Sequence, residues 1–137
     1  MEVHAVSPKE WNKLAEDAHR ILFGENRPAE MNTFDFALVL VEKEQIKAYA
    51  TVIEMDKETA YMQHGGAMPG TQGTTGSKRA YNMVIEWIKA RYKRISTRIH
   101  NKNVPMIKLA LSEGLIIHGV DCHADGVYLH LGYGFGN

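Results

Sequence analysis

The chain has 137 residues, 45% of them hydrophobic and 23% charged, with 16 basic side chains against 16 acidic. That length is read as one domain spanning residues 1–137, and the composition excludes a disordered tail or a fibrous repeat. The longest unbroken apolar run, Phe36 to Val41, is far short of the roughly 20 residues a membrane-spanning helix needs, so a soluble protein is expected.

Met1-Glu2-Val3-His4 carries neither the basic nor the apolar region of a secretory leader, and the single cysteine, Cys122, has no internal disulfide partner. A reducing cytoplasm is therefore the expected compartment. Val3 to Val6 predicts a short first strand. Ser7-Pro8-Lys9-Glu10 then reads as a helix start, with a serine cap, proline at the first helical position and glutamate closing a capping box. Trp11, Leu14, Ala15, Ala18, Ile21 and Leu22 recur at helical spacing before Gly24. The polar stretch from Gly24 to Asn32, with Pro28, is a loop.

Thr33 to Val41 and Ile46 to Met55 predict two strands joined by a four-residue turn, Glu42-Lys43-Glu44-Gln45. A third run, Thr59 to His64, completes an antiparallel meander. Gly65 to Gly76 holds five glycines, Pro69 and three threonines and is expected to be irregular. Lys78 to Tyr92 predicts a helix whose stripe of Ala80, Met83, Val84, Trp87 and Ile88, widened by Tyr81 and Ile85, packs against a sheet. Arg94 to His100 alternates as a strand does. A short helix, Met106 to Glu113, is stopped by Gly114, and two strands, Leu115 to Cys122 and Val127 to Leu131, flank the turn Ala124-Asp125-Gly126.

The neutral total charge hides an uneven distribution. Nine basic residues fall between Lys78 and Lys108 against a single acidic one, Glu86, which leaves the remainder of the chain acidic by eight. A local excess of this size suits an anionic partner such as a phosphorylated cofactor, whereas the acidic remainder argues against wrapping a nucleic-acid duplex. The plainer alternative is a solvated face.

The glycine-rich segment lies between a strand and a helix, where unpaired backbone N–H groups and the positive end of the helix dipole accept phosphate oxygens. Gly73-Thr74-Thr75-Gly76-Ser77-Lys78 places serine before lysine, so it is not a P-loop. A Rossmann loop is excluded as well, because the next strand ends Arg98-Ile99-His100 without the required acidic residue.

Gln72-Gly73-Thr74-Thr75-Gly76-Ser77 resembles the Gln/Arg-x-x-Gly-x-Gly/Ala loop of the GNAT superfamily of acetyl-coenzyme A-dependent N-acyltransferases, with threonine and serine where glycine or alanine is usual. The order of elements is similar over nearly the whole chain. Asn103 and Gly114-Leu115 resemble a second family feature, an asparagine followed eleven residues later by Gly-Phe, although the tyrosine that serves the family as general acid falls on Ala110. The resemblance implies an α/β fold with a mixed, largely antiparallel sheet flanked by helices. It further implies acetyl-CoA as acyl donor, with Gln72, Gly73, Thr74, Thr75, Gly76, Ser77 and Lys78 at the pyrophosphate and Asn103 nearby. Ala67 and Met68 would end a strand that splays from Arg94–His100, leaving backbone groups for the pantetheine arm. Similar chains also occur among tailed-phage proteins, including internal virion components.

Acetyl transfer to a primary amine needs a base for the amine proton and stabilisation of the departing thiolate. His64, near the end of the third strand, is the candidate catalytic base, with Glu54 and Tyr61 as alternatives. His100, His118, His123 and His130 show no metal-ligand spacing, so no metal is expected. Trp11, Trp87 and the seven methionines are read as core, and Cys122 as packed near a strand end. The expected function is N-acetyl transfer from acetyl-CoA to an unidentified amine, and the alternative is a non-catalytic GNAT-like protein such as a phage component. The sequence leaves the oligomeric state open, and a homo-oligomer is compatible with it.

Overall fold

The computed structural model describes residues 1–14, 34–67 and 74–136. Strand β1 (Glu2–Val6) leads into helix α1 (Pro8–Leu14). The capping box forms as the residue types require: the Ser7 N–H donates to Glu10 Oε1 and the Glu10 N–H donates to Ser7 Oγ, both at 3.2 Å. The rest of the helical pattern, from Ala15 to Gly24, the loop read to Asn32 and the predicted strand start at Thr33 lie outside the described residues.

Strands β2 (Phe36–Glu42), β3 (Gln45–Asp56) and β4 (Thr59–Ala67) form the meander. The β2–β3 turn is tighter than the expected four residues. Glu42 pairs with Gln45, so only Lys43 and Glu44 turn the chain, at φ of 53° and 63°. Positive φ at both central residues is the mark of a type I′ turn, whose geometry matches the twist of the strands. Helix α2 (Thr74–Lys89), strand β5 (Arg94–His100), helix α3 (Val104–Ser112) and strands β6 (Ile116–His123) and β7 (Gly126–Tyr133) complete the order. Gly114, at φ 86°, ends α3. At Gly126, φ 143°, a Cβ would collide with the His100 ring.

The expectation that Gly65 to Gly76 is irregular is corrected at both ends. Gly65, Gly66 and Ala67 continue β4 because β3 pairs with them, opposite Ala50, Tyr49 and Ala48. A Cβ at Gly65 would lie 3.0 Å from the Tyr49 carbonyl oxygen, so glycine there permits a close approach of the strands. Thr74 to Ser77 already belong to α2, which starts four residues before the expected Lys78 and ends at Lys89 rather than Tyr92. Likewise α3 starts at Val104, with Pro105 in its first turn, rather than at Met106.

One seven-stranded sheet runs in the order β1-β2-β3-β4-β5-β7-β6, antiparallel except where β4 and β5 pair in parallel. The parallel pair requires the crossover that α2 supplies. On one face Ala80, Val84, Ile85 and Ile88 of α2 pack on Leu38, Leu40, Val52, Met62, Ile95 and Leu131. On the other, Trp11 stacks on Tyr49 with ring centroids 4.6 Å apart, beside Phe34, Ala37 and Val39. Two packing expectations are corrected. Cys122, near the end of β6, is exposed because β6 is the edge strand, and Met55, three-fifths exposed, lies in the irregularity beside the β3–β4 turn rather than in the core. No helix among the described residues is long and apolar enough to cross a membrane.

Candidate active site

Strands β4 and β5 pair only from Thr59–Arg94 to Met62–Thr97 and then part. The cause lies on the other side of β4. Val52 faces Met62 and Thr51 faces His64, so Gln63 is an extra residue in the ladder. Such a bulge bends its strand and increases the local twist. Thr51, fully buried, stabilises it: the His64 N–H donates to Thr51 Oγ1 at 3.1 Å, and Thr51 Oγ1 lies 3.3 Å from Gln63 Oε1.

A cavity of about 340 Å³ opens where the strands part. It brings together His64 and Ala67 from β4, Ser77 from α2 and Asn103 at the start of α3. Asn103 also caps α3, its Oδ1 accepting the Met106 N–H at 3.4 Å. Thr74, Thr75, Gly76 and Lys78 lie in the first turns of α2 at the same end, where the leading N–H groups of a helix have no intrahelical acceptor. Met68, Gln72 and Gly73 lie outside the described residues.

Of the two alternative bases, Glu54 is not at the cavity. It lies opposite Ala60, where β3 and β4 are paired on the side away from the opening, and it accepts the Tyr92 hydroxyl at 2.6 Å. Burial and this carboxylate push the Tyr92 hydroxyl up to about 12. Tyr61 lies opposite Ser96 within the paired stretch, and its pKa is raised chiefly by burial.

Six of the nine basic residues divide between the two ends of α2, about 24 Å apart for 16 residues, while Arg98 lies on β5, Lys102 just before α3 and Lys108 on α3. Lys89, Arg91, Lys93 and Arg94 follow the helix C-terminus, away from the cavity. There Lys93 and Arg94 pair with Glu58 at 3.3 and 3.2 Å, and Arg91 covers the Trp87 ring. This corrects the reading that the whole excess surrounds one anionic ligand, because spacing along the chain does not show that a helix separates the charges. Lys78 and Arg79 remain at the helix start, where Arg79 is 3.8 Å from Glu42.

Tyr49, Tyr81 and Arg98 are among the cavity residues that the sequence reading missed. The two tyrosines fall on apolar stripes and gave no separate signal. Arg98 makes a two-pronged contact with Asp121, at 3.2 and 2.8 Å, and its guanidinium lies 3.8 Å from the centre of the Tyr128 ring. His130 Nε2 is 2.6 Å from Asp121 Oδ1, and His123 contacts the other oxygen. Arg98 first, and then the hydrogen bonds of the two histidines, hold the Asp121 carboxyl well below the usual carboxylate range. Its lone pairs are thus already engaged, and no group of three or more His, Cys, Asp or Glu among the described residues could hold a metal ion.

The arrangement is a narrow slot between two diverging strands with a helix N-terminus at its mouth and an imidazole inside. It suits an extended ligand with an anionic head. No protein-family model matches the sequence, and no curated protein matches it. Solved structures do. A spermidine N-acetyltransferase chimera from Vibrio cholerae and hSSAT superposes with a TM-score of 0.76 at 10% identity, covering 97% of this chain and 95% of that one. An IAA acetyltransferase from Bacillus cereus gives 0.76 at 12% identity, with 96% and 97% covered. A ribosomal-protein-S5-alanine acetyltransferase from Vibrio fischeri gives 0.67 at 15% identity, with 95% and 90% covered. The chain therefore has the GNAT acetyltransferase fold, from β1 through β7. At these identities the likeness is one of architecture.

Proposed function

We propose that the protein is an N-acetyltransferase that uses acetyl-CoA and acts on a primary amine. The observation that carries this reading is the slot itself, opened by the Gln63 bulge and facing the start of α2. The residues present fit the donor. The first-turn N–H groups of α2, with Lys78, suit a pyrophosphate, and the facing edges of β4 and β5 suit the amides of a pantetheine arm. Acetyl-CoA supplies an activated acetyl group attached through sulfur. His64 accepts the proton of the attacking amine, and the β4 bulge orients it through Thr51.

The three similar structures are named for different acceptors, so the acceptor here is left as an amine. The exposed cysteine fits a reducing, cytoplasmic setting. A second reading, a GNAT-like protein without turnover, is favoured by Ala110: it is fully buried and supplies no O–H where the family resemblance expects a tyrosine.

Calorimetry with acetyl-CoA, followed by thiol release against a panel of primary amines, tests the two. Binding with turnover on at least one amine is expected. Binding without turnover on any amine would leave the non-catalytic reading, and absence of binding would remove both cofactor and activity.

A further inference from the structure

Tyr81 lies in the eighth position of α2, is 8% exposed, and lines the cavity with His64, Ser77 and Thr97. Its hydroxyl has no hydrogen-bond partner among the described residues. Native folds rarely bury a polar group in this way, because the stability lost is comparable to that of a broken hydrogen bond. Side chains on a helix lean toward its N-terminus, so the phenol lies over the preceding turn of α2, which carries Ser77 of the same lining.

Of the other lining hydroxyls, that of Tyr49 belongs to a ring stacked on Trp11, in the cluster on the opposite face of the sheet. The Thr97 hydroxyl donates to the Met62 carbonyl at 3.2 Å, and Ser77 lies at the helix start. The facing helix α3 contributes Met106 and Leu109 to the lining and Ala110 to the core, none of which carries a donor. Burial, with Glu113 adding to it, raises the Tyr81 pKa, so the hydroxyl keeps its proton.

We propose that the Tyr81 hydroxyl donates a hydrogen bond to the sulfur of bound CoA and stabilises it as it leaves the acetyl group. The proposal rests on the acetyl-CoA reading above. As the bond between amine nitrogen and carbonyl carbon forms, His64 takes the amine proton. The carbon–sulfur bond breaks with its electron pair going to sulfur, and Tyr81 holds that sulfur through its O–H. Tyr81 keeps its own proton, since a buried phenol is a weaker acid than a thiol of pKa near 8.5. The thiolate is protonated by water after release. α2 thereby supplies the leaving-group contact that Ala110 on α3 cannot.

The test compares Tyr81→Phe with the unaltered protein. Titrating the thiolate absorbance of bound CoA is expected to give a thiol pKa higher by about one unit or more in the variant, the size of a charge-assisted hydrogen bond. Affinity for desulfo-CoA, which lacks the sulfur, should be the same in both proteins. Turnover should fall about ten- to hundredfold in the variant, with KM for acetyl-CoA changed less than about threefold. The melting temperature without ligand should hold or rise, since an unpartnered hydroxyl is removed; a purely structural tyrosine would lower it. Equal thiol pKa values in two proteins that both bind CoA would overturn the proposal while leaving the acetyl-CoA reading intact. Failure of the unaltered protein to bind CoA would overturn both.

Discussion

The buried hydroxyl of Thr51 accepts the backbone N–H of His64 at 3.1 Å, across the bulge that separates β4 from β5. One side chain on β3 thus holds the backbone of His64 where the slot opens. Thr51→Val keeps the shape and the strand preference but leaves the His64 amide without this acceptor. Urea denaturation should show a loss of about 1–3 kcal/mol. The affinity for acetyl-CoA should weaken in parallel, and an unchanged stability would mean that the bulge is held by other means.

His64→Ala should lower turnover on a responsive amine by about a hundredfold or more, with acetyl-CoA affinity nearly unchanged. Steady-state kinetics beside calorimetry separates the two effects. Equal turnover in the variant would remove the histidine from the chemistry and leave the slot in place.

Ser77→Glu places a negative charge in the first two turns of α2. Without ligand the charge favours the helix dipole, so the melting temperature should hold or rise. With ligand the same charge repels a pyrophosphate. Acetyl-CoA at a hundredfold excess over its dissociation constant should stabilise the unaltered protein by about 2.7 kcal/mol and the variant by much less. Gly76→Val should lose the same shift by blocking backbone approach.

Asp121 has a pKa lowered by Arg98 and by its two histidine contacts. A carboxylate with a depressed folded-state pKa contributes stability that is full above its unfolded value and is lost as pH falls through the folded one. The contribution should therefore be present at neutral pH and fade below about pH 3.8, the ordinary aspartate value. Melting curves of Asp121→Asn should lie below those of the unaltered protein at pH 7 and converge with them in acid. Curves that stay parallel throughout would assign the difference to packing instead.

Lys43 and Glu44 both occupy left-handed backbone, at φ of 53° and 63°. Glu44→Gly relieves one such position and should raise stability by about 0.5–1 kcal/mol, read as a higher urea midpoint at unchanged slope.

Local chemistry made some of this architecture legible in advance. The Ser7–Glu10 box was readable because both partners lie within one turn, and β5 was readable because Ile95, Thr97 and Ile99 alternate with polar neighbours. The end of β4 was not, since Gly65 and Gly66 have low strand preference and are held there by β3, more than ten residues earlier. His64, Ser77 and Asn103, far apart in the chain, line one cavity. Tyr81 was hidden by its place on an apolar stripe, and Arg98 by a partner 23 residues further along the chain. The basic run misled because a one-dimensional count cannot see that α2 carries six of its nine members to opposite ends.

The short parallel ladder between β4 and β5 has a consequence for how the molecule could be divided. Among the described residues of the sheet, Thr59–Arg94 to Met62–Thr97 is the only pairing that joins the N-terminal block β1 to β4 to the C-terminal block of β5, β7 and β6. Each block is otherwise closed by its own antiparallel neighbours. A chain cut between α2 and β5 would yield two pieces whose reunion depends on this narrow seam and on the side chains of α2. A ligand lodged in the slot would touch both pieces and act as a clasp, so split halves of the protein would report its presence by reassembling.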